Sequence, residues 1–331
     1  MMKCFRLSVA IHWLAIPVST FLLALAGCSN SDSVTPLGDW RRRSDFEGIA
    51  RQAAAGFVIN NVAYVGTGNN ADNERLRDMW SYDAARNTWT QVADFAGSAR
   101  QAATGFSVGT KGYIGTGLNA NSDRLNDFYE YDPASNQWRR IADYAGTARR
   151  NAVAFTIGNK GYVGTGFDGN YLKDFYAYDP ATNTWTRTAS FSGSKRLGAV
   201  AFVLNNLGYV VTGNNNGTAQ KDVWAYDPTQ DTWIEKDKFT DEETVARSYG
   251  VAFTLNNKAY VLLGDGNSTV WEYDPAADAW ADKNTFEGSS RLYSCGFALN
   301  NKAYVTTGSV GTSVLDDLWE YDPSLERDDD N

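Results

Sequence analysis

One segment of about fifty residues is written six times along this chain, and no other feature narrows the choice of fold so far. In each copy an arginine stands six residues before a phenylalanine: Arg51/Phe57, Arg100/Phe106, Arg149/Phe155, Arg196/Phe202, Arg247/Phe253 and Arg291/Phe297. A tyrosine then leads to a glycine four residues on, at Tyr64/Gly68, Tyr113/Gly117, Tyr162/Gly166, Tyr209/Gly213, Tyr260/Gly264 and Tyr304/Gly308. A Tyr-Asp pair closes each unit at Asp83, Asp132, Asp179, Asp227, Asp274 and Asp322. A period of this kind predicts a modular array.

Each copy reads as four strands. The first follows the arginine and is apolar almost throughout, as in residues 53–59, which suits a strand covered on both faces. Two turn residues come next: Asn60-Asn61, Gly109-Thr110, Gly158-Asn159, Asn205-Asn206, Asn256-Asn257 and Asn300-Asn301. Asn and Gly accept the positive φ that tight hairpins require. The second strand ends at the glycine, a loop of variable length follows, and a third strand such as residues 78–83 alternates as a more exposed strand does. A tryptophan seven residues after the repeat tyrosine starts the fourth, at Trp89, Trp138, Trp185, Trp233 and Trp280, with an aromatic six residues later at Phe95, Tyr144, Phe191, Phe239 and Phe286.

After Tyr321 no tryptophan follows, whereas Trp40 with Phe46 is a fourth strand that has no repeat before it. The N-terminal strand is therefore expected to complete the last unit and close a ring. Glycines that end the second strand, then Tyr-Asp, then Trp, resemble kelch repeats. That resemblance covers residues 39–323 and implies an all-β fold: a six-bladed kelch β-propeller, last blade closed by the N-terminal strand. The kelch double glycine stands here as Gly-Thr-Gly in the first three copies and as Val-Thr-Gly, Leu-Leu-Gly and Thr-Thr-Gly in the others.

Before the repeats, Lys3 and Arg6 precede an apolar run from Leu7 to Ala26 that reads as an export signal. Its end, Leu25-Ala26-Gly27-Cys28, resembles the bacterial lipobox, which implies lipidation at Cys28 and an address in the bacterial cell envelope. The expected organisation is a lipoprotein signal peptide at 1–27, a tether at 28–38, the propeller at 39–323 and an acidic tail at 324–331. Losing the signal leaves 28 basic groups (30 less Lys3 and Arg6) against 39 acidic ones, a net of −11, which speaks against nucleic-acid partners. Cys295 is then the single cysteine of the body, so packing rather than disulfides must hold it. His12 leaves with the signal as well. Without histidine there is no Ser-His-Asp triad and no histidine-held zinc or copper, and neither a metal nor a cofactor is expected.

Strand direction puts the variable loops and the crossovers on one face, the top, where binding on a rigid scaffold usually resides. The six arginines Arg51, Arg100, Arg149, Arg196, Arg247 and Arg291 begin the innermost strands around the top of the axial channel. Each either pairs with an aspartate opening the third strand (Asp78, Asp127, Asp174, Asp222 and Asp317, with Thr269 the exception) or serves an anionic ligand. Asp168, Tyr171 and Asp265 of the top loops complete the set of ligand-binding candidates. The crossover before Arg247 carries Asp241, Glu242 and Glu243 where its neighbours have FAGSAR or FSGSKR. The run Asn119-x-Asn121-x-Asp123 has oxygen donors at calcium-like spacing, but Asx turns explain it better.

The leading expectation is a non-catalytic, lipid-anchored, monomeric propeller of the cell envelope that engages an envelope or extracellular protein or a glycan through the top face. Periplasmic kelch propellers that epimerise sialic acid supply the alternative. On that reading the protein is a carbohydrate-modifying enzyme, such as a mutarotase or epimerase, acting through Glu243, Arg247 and Tyr249.

Overall fold

Asparagine pairs set the first hairpin of most repeats. At Asn60-Asn61, Asn205-Asn206, Asn256-Asn257 and Asn300-Asn301 both residues take φ between 48° and 61°, the left-handed geometry of a two-residue turn. Gly109 and Gly158, at 57° and 58°, open the other two hairpins. In this computed structural model, which describes residues 37–237 and 247–327, each turn joins two five-residue strands, as in Ala55–Ile59 and Val62–Gly66. Strands Met79–Asp83 and Thr88–Val92 complete the first sheet. The described residues form six such four-stranded antiparallel sheets, two short ribbons and no helix. Innermost strands of successive sheets touch in chain order and the sixth returns to the first. The fold is a six-bladed β-propeller.

Closure falls where the repeat count puts it. Leu37–Arg43 pairs antiparallel with Leu318–Glu326, Trp40 opposite Tyr321. The N-terminal strand thus supplies the outer edge of the sixth blade. Leu37 pairs with Glu326 across a bulge at Leu37/Asp39, so the blade extends beyond both boundaries, 39 and 323, that the repeat alone defines. Trp40 is fully buried and packs edge-on against Phe286 at 4.7 Å and tilted against Tyr321 at 4.8 Å.

Cross-strand volume explains the drift of the Gly-Thr-Gly motif. Gly66, Gly115 and Gly164 face Met79, Phe128 and Phe175 on the third strand. A Cβ at any of the three would lie within 2.2–2.3 Å of that partner. Where the partner is Val223, Val270 or Leu318, the glycine becomes Val211, Leu262 or Thr306. A large side chain opposite a small one is exchanged for two of middle size, which keeps the core filled. The last glycine of the motif never varies, because its φ of 89–102° excludes a side chain. In that conformation its N–H reaches the next blade: Gly68 donates to the carbonyl of Arg100 at 2.7 Å, and Gly308 closes the series on Arg51 at 2.8 Å.

Replacing Trp40 by alanine removes the aromatic plug of the closing strand and should cost about 3–5 kcal/mol. Urea denaturation of the variant measures it, and an unchanged midpoint would mean that the ring holds without this strand.

Candidate functional site at the channel mouth

Each repeat arginine is positioned by the crossover before it. Phe46, Phe95, Tyr144, Phe191 and Phe286 follow the outer strand of one blade by three or four residues, and five residues later the chain reaches the axis with an arginine whose guanidinium lies 4.7–5.3 Å from that ring. A glycine two residues after the aromatic lets the backbone fold over it. A Cβ at Gly48, Gly97, Gly146 or Gly288 would come within 2.5–2.6 Å of the ring.

The guanidinium then enters the next blade. Arg51 sends paired N–H bonds to Asp78 at 2.8 and 2.6 Å, Arg100 to Asp127 at 2.7 and 2.8 Å, and Arg149 to Asp174 at 2.7 and 2.8 Å. Arg196 reaches Asp222 at 2.7 Å, and Arg291 clasps Asp317. A further N–H goes to the carbonyl of Thr67, Thr116, Thr165, Thr212 or Thr307. Arg247 meets Thr269 in place of an aspartate, donating to its Oγ1 at 2.7 Å and its carbonyl at 3.0 Å. All six are 0–1 % exposed. Of the two roles open to the arginines, the structure assigns the pairing one; the ligand-binding ring around the mouth is corrected. Burial removes every guanidinium from solvent, and at five of the six a carboxylate neutralises the charge that a ligand would have met.

Electrostatics follow the partners. Burial opposes ionisation of Asp78 and Asp317, yet the hydrogen bonds and charge of Arg51 and Arg291, with the Trp80 and Trp319 indoles, hold both carboxyls below the ordinary range. Burial pulls Arg149 down, but Asp174 more than compensates and its pKa is raised. Beside Thr269, burial prevails and brings Arg247 down to about 10, with Asp265 opposing the shift.

Two residues beyond each arginine the backbone turns left-handed. Ala53, Ala102, Asn151, Gly198, Tyr249 and Tyr293 have φ of 51–62°. Their amides form a closed circle: Ala102 donates to Ala53 at 3.0 Å, Asn151 to Ala102 at 3.0 Å, Gly198 to Asn151 at 3.3 Å, Tyr249 to Gly198 at 2.8 Å, Tyr293 to Tyr249 at 3.1 Å and Ala53 to Tyr293 at 3.0 Å. Left-handed backbone costs a residue with a side chain roughly 1–2 kcal/mol, and the circle of bonds holds it there. The Tyr249 and Tyr293 rings meet at 4.4 Å. Burial, reinforced by Tyr293, pushes the Tyr249 hydroxyl well above its usual value, and burial raises Tyr293 too. Both stay neutral and act as hydrogen-bonding groups.

Over this circle lies a depression of about 180 Å³ lined by Gln52, Gln101, Asn69, Asn73, Arg150 and Tyr293 among others. Below it the channel passes between Ala54, Ala103, Ala152, Ala199, Gly250 and Ser294, small residues that let the inner strands converge. Arg150 leans over the Phe167 ring at 5.4 Å, and Phe167 also meets Tyr171 edge-on at 5.2 Å. Among the described residues no carboxylate forms an ion pair with Arg150.

The remaining candidates divide. Asp265 accepts the backbone N–H of Ser248 at 2.5 Å and its hydroxyl at 2.8 Å. Asp168 accepts from Thr147 at 2.9 Å and from the Asn170 amide at 2.9 Å; both carboxylates therefore tie their loops to the segment that carries the neighbouring arginine. Asn119 accepts the amides of Asn121 and Asp123, each at 2.9 Å, as an Asx turn does. Of the three proposed catalytic residues, Arg247 has no exposed edge, Tyr249 sits on the mouth circle, and Glu243 lies outside the described residues, as do Asp241, Glu242 and Cys28. Gln52, Gln101 and Arg150 escape a reading centred on the repeated arginines. Their signal is the position just after each arginine, which runs Gln52, Gln101, Arg150, Leu197, Ser248 and Leu292 inside an otherwise copied segment.

Blades, glycine links and arginine clamps define a propeller built from kelch units. The KLHDC2/KLHL20/DRC7 Kelch-repeats domain matches residues 42–196 and the Kelch motif matches residues 195–236; the chain belongs to the kelch-repeat β-propeller family. No curated protein matches the sequence. A solved structure described as "Structure of YjhT" is similar in fold with a TM-score of 0.70 and 17% identity, over 83% of this chain and 96% of that chain.

Because the folded pKa values of Asp78 and Asp317 lie below the unfolded value of roughly 3.9, the stability they contribute is complete above that pH. It is lost as pH falls through the folded values. Unfolding midpoints measured from about pH 6 down to pH 2 should drop steeply below about pH 4, and less steeply in Asp78→Asn. A flat profile across that window would contradict the clamp.

Proposed function

We propose that this protein is a non-catalytic binding propeller of the bacterial cell envelope that engages an acidic glycan at the channel mouth. The observation that carries the reading is Arg150. It is the cation of the mouth lining, stacked on Phe167 and without an ion pair among the described residues. Gln52, Gln101, Asn69 and Asn73 surround it with amides that both donate and accept, which suits the hydroxyls of a sugar. Tyr293 adds an aromatic wall with a neutral hydroxyl. The shallow depression of about 180 Å³ accommodates a terminal sugar rather than a long chain. The lipobox-like Leu25-Ala26-Gly27-Cys28 supports the envelope address and anchoring through Cys28.

A glycan array, followed by calorimetric titration with glucuronate and with glucose, tests the reading. Arg150→Ala should lower affinity for the acidic sugar at least tenfold, about 1.4 kcal/mol, with the thermal midpoint unchanged. Equal binding by wild type and variant, or no acidic glycan captured, would overturn it.

A further inference from the structure

A second depression, of about 510 Å³ and lined by none of the residues of the first, lies at the junction of the third and fourth blades. Lys173, Arg187 and Lys195 line it, with Tyr171, Ser190 and Ser194. All three cations are exposed. Asp174 is the one carboxylate of the lining, and Arg149 holds both of its oxygens at 2.7 and 2.8 Å. Among the described residues Lys173, Arg187 and Lys195 make no ion pair. On a chain of net charge −9, such a group is a local reversal of sign.

The propeller's own symmetry shows how the reversal arises. Just before the crossover aromatic, three of the other copies carry an aspartate that neutralises nearby cations, while the remaining two have Lys238 and Thr285. Asp45 pairs with Arg42 at 2.9 Å, Asp94 with Arg77 at 3.6 Å and Asp143 with Arg140 at 2.8 Å. Arg187 occupies the same register as Arg140 and Arg42, opposite Tyr176, Tyr129 and Trp319 respectively. Lys173 occupies the place of Arg77, since their carbonyls accept the amides of Phe191 and Phe95. In the third blade the aspartate is Ser190, so one replacement frees both cations. Lys195 adds a third charge where other copies have Ala50, Ala99, Ala148 and Ser290.

We infer that this groove binds the phosphate monoester of a phosphorylated sugar. Two lysines and an arginine against one already neutralised acid call for a ligand of charge near −2, which a phosphate monoester carries at neutral pH and a carboxylate does not. The arginine fork and the Ser190 and Ser194 hydroxyls offer donors to several oxygens of one tetrahedral group. Tyr171 and Leu172 supply the wall against which the sugar ring lies. The site shares no lining residue with the mouth depression.

Calorimetric titration of the full chain with glucose 6-phosphate, inorganic phosphate and glucose tests this. Saturable binding of glucose 6-phosphate, weaker binding of inorganic phosphate and none of glucose are expected, with affinity falling as salt rises. Ser190→Asp, which introduces the acid that Asp45, Asp94 and Asp143 supply in three other copies, and Lys195→Ala should each weaken binding at least tenfold without moving the thermal midpoint. Arg150→Ala should leave it unchanged, which separates this site from the mouth. Absence of saturable binding, full retention in Ser190→Asp, or glucose 6-phosphate binding no tighter than inorganic phosphate would overturn the inference.

Discussion

The buried guanidinium of each repeat is the joint on which the propeller turns. Arg100 stacks on Phe95 from the blade before, donates to Asp127 and the Thr116 carbonyl within its own blade, and accepts the Gly68 amide on its backbone oxygen. One residue thereby ties a crossover, an inner strand, a third strand and the preceding blade. A charge withdrawn from water is costly unless every donor is met. Its partners must therefore be met in each copy, by an aspartate in five and by Thr269 in the sixth, which is why the spacing repeats so strictly. The five aspartates and the crossover aromatics answer to that demand rather than to a ligand.

Function then belongs to positions that the joint leaves free. The residue directly after the arginine lines the mouth in three adjacent blades, at Gln52, Gln101 and Arg150. The opposite half of the mouth carries Leu197 and Leu292 at the same position. A symmetric frame thus presents an asymmetric surface. The groove between the third and fourth blades arises in the same way, since Ser190 stands where three other copies have a neutralising aspartate.

Much of the architecture was legible in the amino-acid order, because period, turn chemistry and the stranded Trp40 each report a local constraint. Two-residue turns and four strands per copy are local in this sense, while the pairing of Trp40 with Tyr321 follows from counting the copies and the Arg–Asp partners from their fixed spacing. The site was less legible. Six identical arginines at the inner-strand starts look like a ring around a pore, and only three-dimensional packing shows that their side chains bend into the blades. Arg150 and Arg149 are adjacent in sequence, yet one is sealed and the other lines the mouth. The drift from Gly-Thr-Gly also needs the facing strand to be understood, since Val211 answers to Val223 and Gly115 to Phe128.

A double-mutant cycle on Arg100 and Asp127, followed by urea denaturation, tests the structural role of the arginines most directly. Each single alanine substitution should cost about 3–5 kcal/mol by leaving its partner buried and uncompensated, and the double variant should cost far less than the sum of the two. An Arg100→Ala protein as stable as the wild type would contradict the account and return these arginines to the ligand.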